Sequence, residues 1–419
     1  MNDFFARLKR IPFWVWFALL ALLAFRVRVF LFPFEGVDDS WWLAWADAAQ
    51  KGGVSAPYLW TGWHLPANYP PLFMYVLMVF GWIQAKTNCV VDVITLVHLF
   101  SCTFDVITAW LITRLVIPTH GKSWGIIAAA SWLFSPYIIY ESGLWAQNDI
   151  LVSFWAILTL WLLQTKRTTW ATIAVILGLL TKPQFVVVVP FFIVWVLVRK
   201  EWSFRQWITG ILASILTLSV VLLPLAKNKA LGIMFHEAYQ ASAGYYPYYS
   251  LNAYNVWWLQ VPDPRDWLHS FDYTKVLGSL SAFQVGLIAF GAVYALLIAL
   301  LVKRAKKTSL LDLAWIASLG VFAFFLLSTQ MHERYNYQFF ALALLGCIGL
   351  RGKVAWFKGV SWWILTLAGV VNLAMVESAS PWMKANIFTI SHTIAWINIA
   401  VFIALLVHLI WSPPRAYES

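Results

Sequence analysis

Two adjacent carboxylates, Asp38 and Asp39, follow the first apolar segment of the chain, in the stretch 34–47 with the sequence FEGVDDSWWLAWAD. The aromatic residues after them predict a helix that lies in the membrane interface, and either aspartate could cap its N-terminus. A cap accounts for one acid, but two neighbouring like charges repel each other unless a positive charge is near. The second interpretation is that one carboxylate acts as a general base on a hydroxyl group.

A further acid, Asp149, ends the segment LWAQND at 144–149 and opens an apolar run. It could cap that helix or belong to a site. Lys182, followed by Pro183 and Gln184, lies at the tip of a hairpin between two short apolar runs. A lysine inside a membrane costs about 2.5–3.5 kcal/mol and is a functional candidate. The alternative is that Lys182 extends to the lipid headgroups.

The segment QMHERY at 330–335 places three titratable groups between two apolar runs. Arg334 could hold a phosphate by bidentate hydrogen bonds, and His332 could share that role or carry a proton. A zinc site at His332 and Glu333 is excluded because a second histidine does not follow at helical spacing. The alternative is a short loop that interacts with headgroups.

The composition places the chain in lipid. Hydrophobic residues make up 62% of it and charged residues 11%, whereas soluble domains have roughly 25% charged residues. The net charge of +11 comes from basic residues scattered between apolar runs, which is typical of cytoplasmic membrane loops and not of a nucleic-acid-binding face. Three cysteines show neither metal spacing nor a disulfide framework: Cys89, Cys102 and Cys347.

Apolar runs predict an all-α, polytopic transmembrane protein of about 11–13 helices. The runs are 11–32, 69–84, 90–117, 123–140, 146–165, 168–181, 184–198, 206–226, 276–302, 309–328, 335–350, 359–376 and 388–411. Basic clusters predict the cytoplasmic side. They include Arg7, Lys9, Arg10, Lys166, Arg167, Arg199, Lys200, Arg205, Lys303, Arg304, Lys306, Lys307, Arg351, Lys353, Lys358 and Arg415. The segments that hold the candidate residues then all lie outside.

One parity problem accompanies this topology. Three runs separate segments 32–68 and 141–149, although both are expected outside. Run 69–84 is short and opens with Tyr69-Pro70-Pro71, so we expect it to enter from outside without crossing. Asp105, deep in run 90–117, is expected to bond to a neighbouring helix, with a proton relay as the alternative.

Loop 227–275 is rich in aromatic residues, which suit either sugar rings or interfacial anchoring. They include Tyr239, Tyr245, Tyr246, Tyr248, Tyr249, Tyr254, Trp257 and Trp258. The tract 242–250 is a candidate lid.

Five features follow one another along the chain: the first-loop acids, Tyr69-Pro70-Pro71, the Trp-x-Gln-x-Asp segment, the Lys-Pro-Gln hairpin and the Met-His-Glu-Arg-Tyr segment. Together they resemble the pattern of the GT-C superfamily of membrane glycosyltransferases. Within it, the chain looks most like bacterial mannosyltransferase-like proteins related to the GPI-anchor mannosyltransferases. The resemblance covers roughly residues 30–350, and 331–335 is its most specific part. It implies a GT-C-like catalytic module at 1–350 followed by C-terminal transmembrane helices at 351–419.

The resemblance implies transfer of a hexose from a polyprenyl-phosphate donor to a hydroxyl of a lipid-linked, glycan or protein acceptor. The catalytic base would be Asp38, with Asp39 as the substitute. Residues that position acceptor or donor would be Asp149, Gln147 and Tyr69. Residues near the donor phosphate would be Lys182, Gln184, His332 and Arg334. Most of the superfamily uses no metal, although its oligosaccharyltransferases do, so no cofactor is expected and a divalent metal stays open.

The expected location is the cytoplasmic membrane, with the site on its external or periplasmic side. Two rival functions remain. A secondary transporter or lipid flippase is suggested by Lys182, Asp105 and the broken hairpin, but transporters usually show internal repeats and none is visible here. A polysaccharide polymerase or ligase would use the same lipid on the same side. Mannose itself rests on the resemblance alone.

Overall fold

The computed structural model describes residues 12–32, 36, 38–241, 244–349, 352–377 and 379–411. Several residues of the sequence argument lie outside this part: Arg7, Lys9, Arg10, Arg351, Arg415, and the start of the lid tract at 242–243. The expected module boundary at 350–351 also lies outside it. The described chain is helical, apart from a two-stranded antiparallel ladder of Lys275–Leu277 and Leu280–Ser281.

The main helices are α1 (Phe13–Leu31), α2 (Asp39–Gly52), α3 (Pro71–Lys86), α4 (Val93–Leu133), α5 (Asp149–Gln164), α6 (Thr168–Leu179), α7 (Val189–Arg199), α8 (Phe204–Lys227), α9 (Ala282–Arg304), α10 (Leu310–Leu327), α11 (Tyr337–Cys347), α12 (Gly352–Glu377) and α13 (Ile387–Trp411). Short α-turns occupy Ala56–Leu59, Pro136–Ile139, Leu231–Phe235 and Pro381–Ala385. Two π-helical segments occupy Tyr140–Trp145 and His236–Gln240.

Seven helices in the described residues are long and apolar enough to cross a membrane, and five further apolar helices are shorter. The protein is therefore a polytopic α-helical membrane protein. The expected 11–13 helices counted these short elements too, because hydropathy detects apolar segments whether or not they reach across the bilayer. Two of the shorter helices, α5 and α11, are mostly buried against other helices of the bundle.

α4 contains a chain reversal. Its two parts correspond to the separate apolar runs 90–117 and 123–140 of the sequence analysis. Gly121 has φ +83°, a left-handed conformation that glycine adopts without a Cβ clash. The chain folds back after Gly121, as the contact between its two sides shows: Trp132 Nε1 donates to the carbonyl oxygen of Asp105 at 3.2 Å. The part of α4 before Gly121 and the part after it thus form an antiparallel hairpin.

α3 lies across one end of the bundle. Its first turn is tied to the end of α6, where Leu72 N donates to Leu180 O, and its last turn reaches the start of α4, where Gln84 Oε1 accepts from Val93 N at 2.8 Å. The start of α4 is itself next to the end of α1, since His98 packs on Phe32 with ring centroids 4.8 Å apart. Both ends of α3 therefore meet the same end of the bundle, as the parity argument expects for a helix that does not cross.

Basic residues of separate loops meet at the other end. Arg199 donates to the carbonyls of Ala305 and Thr308, and Arg304 donates to that of Leu409. α9 has 23 residues, so its basic end lies about 34 Å from its start. This arrangement agrees with the positive charge pattern of cytoplasmic loops.

A buried ion pair joins several helices beside the last turn of α1 and the first turn of α11. Arg28 of α1 and Asp105 of α4 are completely buried and 3.0 Å apart. Tyr337 of α11 donates to the second carboxylate oxygen of Asp105 at 3.1 Å, and Arg28 also donates to Ser142 in the π-helix and to Leu133 O. Asp105 therefore bonds to neighbouring helices, in agreement with the structural role we expected.

We predict that Arg28→Met lowers the free energy of unfolding by about 3–5 kcal/mol, because it leaves a buried carboxylate without its cation. The matched control is Lys51→Met, which removes the exposed partner of Asp47 in α2 and should change stability by less than about 0.5 kcal/mol. Thermal unfolding in detergent measures both. Adding Asp105→Leu to Arg28→Met should recover stability. Equal losses of stability in Arg28→Met and Lys51→Met would contradict the prediction.

Candidate active site

Arg334 is the centre of the candidate site. It lies in the short connection between α10 and α11 and is buried. Its guanidinium contacts three carboxylates: Glu333 at 2.7 Å, Asp149 at 3.6 Å and Asp38 at 3.8 Å. Burial alone would lower the pKa of Arg334, but the negative charges of Asp38 and Glu333 raise it well above its ordinary value. The arginine therefore remains charged.

Asp38 is the first-loop acid that faces Arg334. It precedes α2 at the N-cap position, but its carboxylate accepts hydrogen bonds from Trp145 Nε1 at 3.1 Å and from Gln147 Nε2. Its side chain is 20% exposed, against 6% for Asp149 and 2% for Glu333. Of the three carboxylates around Arg334, Asp38 is thus the one that an incoming molecule reaches most easily.

Asp39 has a different environment. It occupies the first turn of α2, and its carboxylate accepts from the backbone N–H of Gly36 at 2.8 Å. A Cβ on Gly36 would lie 2.9 Å from Asp39 Oδ1 and 3.3 Å from Trp145 O, so the loop needs glycine for this close approach. Asp39 thus stabilises the turn that delivers Asp38.

Lys182 is paired inside the protein and does not extend to headgroups. Its Nζ lies 2.6 Å from Asp149 Oδ2, and both side chains are buried. The ammonium also lies 5.0 Å from the Tyr69 ring and 5.8 Å from the Tyr335 ring, where aromatic faces favour a cation. Because Pro183 follows it, the backbone of Lys182 is extended. The extended residue separates α6 from the next helical turn and places the Lys182 side chain against Asp149.

The loop between α4 and α5 brings several of these residues together. A π-helical turn covers Tyr140–Trp145, and Ala146 then adopts a left-handed conformation before α5 begins at Asp149. π-helical turns are rare and occur often at functional sites. Here the turn points Trp145 and Gln147 at Asp38, and Trp145 also lies 5.2 Å from the Arg334 guanidinium.

Sequence reasoning missed three members of this site: Trp145, Glu333 and Glu141. Burial raises the pKa of Glu141 well above its ordinary value, and the charge of Asp149 raises it further. Burial would also raise the pKa of Glu333, but Arg334 and the His332 ring, whose Nδ1 lies 3.8 Å away, lower it below its ordinary value. For Glu141 and Glu333, the signal available in the sequence was an acidic residue inside otherwise apolar surroundings.

His332 and Gln184 line a cleft that adjoins the space around Lys182. Burial and the charge of Arg334 lower the pKa of His332, so its ring is neutral at pH 7 and offers hydrogen bonds without charge. The cleft has a volume of about 340 Å³, and Gln184, Ser328, Thr329, Gln330 and His332 supply its polar rim. A smaller space of about 60 Å³ adjoins it, contains Lys182 and Tyr69, and shares Tyr246 and Tyr335 with it.

The remainder of the cleft is apolar and reaches the outer surface of the helix bundle. Val186, Phe283 and Leu287 line it and are all exposed. In a membrane protein such residues face lipid. The cleft thus connects the polar centre with the lipid-facing surface of the bundle.

The aromatic loop before α9 covers this region. Tyr246 packs edge-on against His332, while Gln330 and Thr329 both donate to Asp272. Within the described residues, no three or more His, Cys, Asp or Glu side chains are grouped so that they could hold a metal ion.

No protein-family model matches the chain, and a search of curated proteins finds no match. The protein is therefore defined by its fold as a polytopic α-helical membrane protein with a buried, multiply charged centre. Membership of the GT-C superfamily stays a prediction.

Arg334→Gln tests the electrostatic centre. We expect it to lower the free energy of unfolding by about 3–5 kcal/mol, because buried carboxylates lose their shared cation. Without Arg334, burial would raise the pKa of Glu333 above its unfolded value of about 4.3. The difference from wild type should therefore be larger at about pH 8 than at about pH 5.

The matched control is Arg265→Gln, which removes an exposed arginine and should leave the thermal midpoint unchanged at either pH. A pH-independent loss in Arg334→Gln would contradict the electrostatic explanation.

Proposed function

We propose that the protein is a membrane glycosyltransferase that moves a sugar, with inversion, from a polyprenyl-phosphate donor to a hydroxyl acceptor on the non-cytoplasmic face of the membrane. The observation that carries this proposal is the meeting of one accessible carboxylate, Asp38, with two buried cations, Arg334 and Lys182, beside an apolar cleft. Transfer from a lipid phosphate needs each of these parts: a base, a site for the leaving phosphate and space for a lipid chain.

In the proposed reaction, the oxygen of the acceptor hydroxyl bonds to the anomeric carbon of the sugar while Asp38 accepts the proton of that hydroxyl. The bond between that carbon and the phosphate oxygen breaks, and its electron pair stays on the phosphate. Trp145 and Gln147 support this role because they orient the carboxylate. A nearby negative charge also stabilises the oxocarbenium-like transition state.

The leaving phosphate would be bound by Arg334 and Lys182. Both cations are already desolvated, so their interaction with a developing negative charge is strong. Their charges are balanced by Asp149 and Glu333. Asp149 lies between the two cations, 2.6 Å from Lys182 and 3.6 Å from Arg334, which brings them close enough together to bind one phosphate. His332, neutral and on the rim, would add a hydrogen bond.

The apolar cleft supports a polyprenyl donor in particular. Its polar rim lies near Lys182 through the shared residues Tyr246 and Tyr335, and its far wall faces lipid. A donor with a water-soluble nucleotide would gain nothing from such a wall. The identity of the sugar, mannose included, rests on the resemblance.

One observation favours the transporter alternative: the Arg28–Asp105 pair places opposite charges inside the bundle, where transporters hold coupling groups. The two functions differ in their products. Purified protein in liposomes should form a glycosylated product from polyprenyl-phosphate hexoses, and ion-coupled substrate uptake without any covalent product would support transport.

Asp38→Asn should lower kcat for sugar transfer by about 10²–10⁴-fold, the usual contribution of a general base. Asp39→Asn is the matched control, because it changes the adjacent carboxylate in the same way and should retain most activity. The assay follows radiolabelled sugar from polyprenyl-phosphate mannose and polyprenyl-phosphate glucose. Loss of activity only in Asp39→Asn would move the base to Asp39, and full activity in both variants and their double mutant would remove the base assignment.

Leu287→Trp tests the lipid cleft. The larger ring would fill the space beside His332 and should raise KM for a long-chain polyprenyl donor by about tenfold, equivalent to 1.4 kcal/mol, while KM for a short-chain analogue stays unchanged. Leu296→Trp on the same helix, outside the cleft lining, is the control. An equal effect on long and short donors would argue against a chain-binding role.

A further inference from the structure

A turn near the candidate site presents exposed aromatic rings that the proposed chemistry does not use. After the short helix Ala56–Leu59, the chain runs through the turn 60–65, where Gly62 and Leu65 form a bridge. Trp63 is 79% exposed and Trp60 is 39% exposed. Large exposed rings in a turn need an explanation from a membrane, a partner or a ligand.

The turn is fixed to α2 by three contacts made by one residue, His64. Its ring stacks on Trp41 with centroids 3.9 Å apart, its Nε2 lies 2.8 Å from Ser40 Oγ, and its carbonyl oxygen accepts from Trp45 Nε1 at 2.7 Å. All three partners belong to the first two turns of α2, the helix that begins directly after Asp38. The position of Trp63 is thus coupled to that of Asp38.

The backbone of His64 is strained, which indicates a geometry maintained for a purpose. Its φ of +62° lies in the left-handed region, where side-chain-bearing residues are uncommon. Such strain persists where surrounding contacts hold it and is often found at binding sites. A simple headgroup anchor needs only a ring at the right depth, and a flexible turn would provide one equally well.

The chemistry around Trp63 suits a neutral carbohydrate. A pyranose ring has an apolar C–H face, which packs on an indole ring, and an edge of hydroxyl groups, which need hydrogen-bonding partners. Ser40 and His64 provide such partners beside the exposed indoles. Burial lowers the pKa of His64, so its ring carries no charge at pH 7 and favours neutral hydroxyls over an anion.

We propose that the turn 60–65, together with Ser40 and Trp41, binds the acceptor of the reaction, and that this acceptor is a neutral glycan. The inference rests on the proposed function, because it assigns this surface to the hydroxyl substrate that Asp38 would deprotonate. A sugar stacked on Trp63 would present a hydroxyl towards the start of α2.

Saturation-transfer NMR tests binding without any turnover. The probes are neutral trisaccharides of mannose, glucose and galactose, added to the full-length protein in nanodiscs. We expect saturation of at least one trisaccharide by the wild type and by Trp382→Ala, and a loss of that signal in Trp63→Ala. Trp382 is a matched control because it is 69% exposed, lies in the short helix Pro381–Ala385 and makes no contribution to the turn. Thermal midpoints within error of wild type show that the exposed substitutions leave the fold intact.

A kinetic measurement separates this proposal from the proposed function. Trp63→Ala should raise the acceptor KM by about tenfold, the scale of one lost aromatic contact, and leave hydrolysis of the donor by water unchanged. Trisaccharide binding that depends on Trp63 in a protein without transferase activity would retain the sugar surface and reject the transferase. Active transferase with unchanged binding and acceptor KM in Trp63→Ala would reject the sugar surface alone. Absence of binding by the wild type, or an effect of Trp63→Ala confined to vesicle association, would also overturn it and indicate a lipid anchor.

Discussion

The Arg334 guanidinium imposes the main physical constraint on this protein. A cation removed from water in a medium of low dielectric constant must have counter-charges within a few ångströms, or the cost of its desolvation exceeds the stability of the fold. Here three carboxylates from separate parts of the chain supply them. The loop before α2, the start of α5 and the connection before α11 must therefore converge on one point, and the helices are arranged accordingly.

This balance of charge also explains why the centre could work on a charged ligand. Arg334 and Lys182 lie against carboxylates of the protein, so each cation has a counter-charge within the chain. Contacts of 3.6 and 3.8 Å from Arg334 to Asp149 and Asp38 are longer than hydrogen bonds. They are therefore the contacts that an incoming phosphate would compete with most easily, whereas the 2.7 Å contact with Glu333 would keep the guanidinium in place.

Support for the centre comes from elements that depart from regular helix. The π-helical turn Tyr140–Trp145, the extended Lys182 before Pro183 and the left-handed His64 each direct a side chain that a continuous helix would point elsewhere. Behind them, the Arg28–Asp105 pair ties α1 and α4 to the π-helical turn and α11. The irregular backbone of the π-helical turn and of Lys182 is largely buried, and the protein supplies its hydrogen bonds.

The sequence by itself determined the solvent, the helical class and the sorting of charge. Each of these depends on transfer free energies of single residues or short segments, which add up along the chain without knowledge of the fold. It also identified Asp38, Asp149, Lys182 and Arg334 as unusual, since charges next to apolar runs are costly wherever the chain goes. Only the tertiary structure distinguished the surroundings of Asp38 from those of Asp39, because the Asp38 carboxylate accepts a hydrogen bond from Trp145, 107 residues away along the chain. The tertiary structure likewise identified Glu333 as the carboxylate closest to Arg334. It also placed both ends of α3 at the same end of the bundle. Pairing across such distances follows from how whole helices pack, and side-chain packing is not encoded in any local pattern of hydropathy or charge.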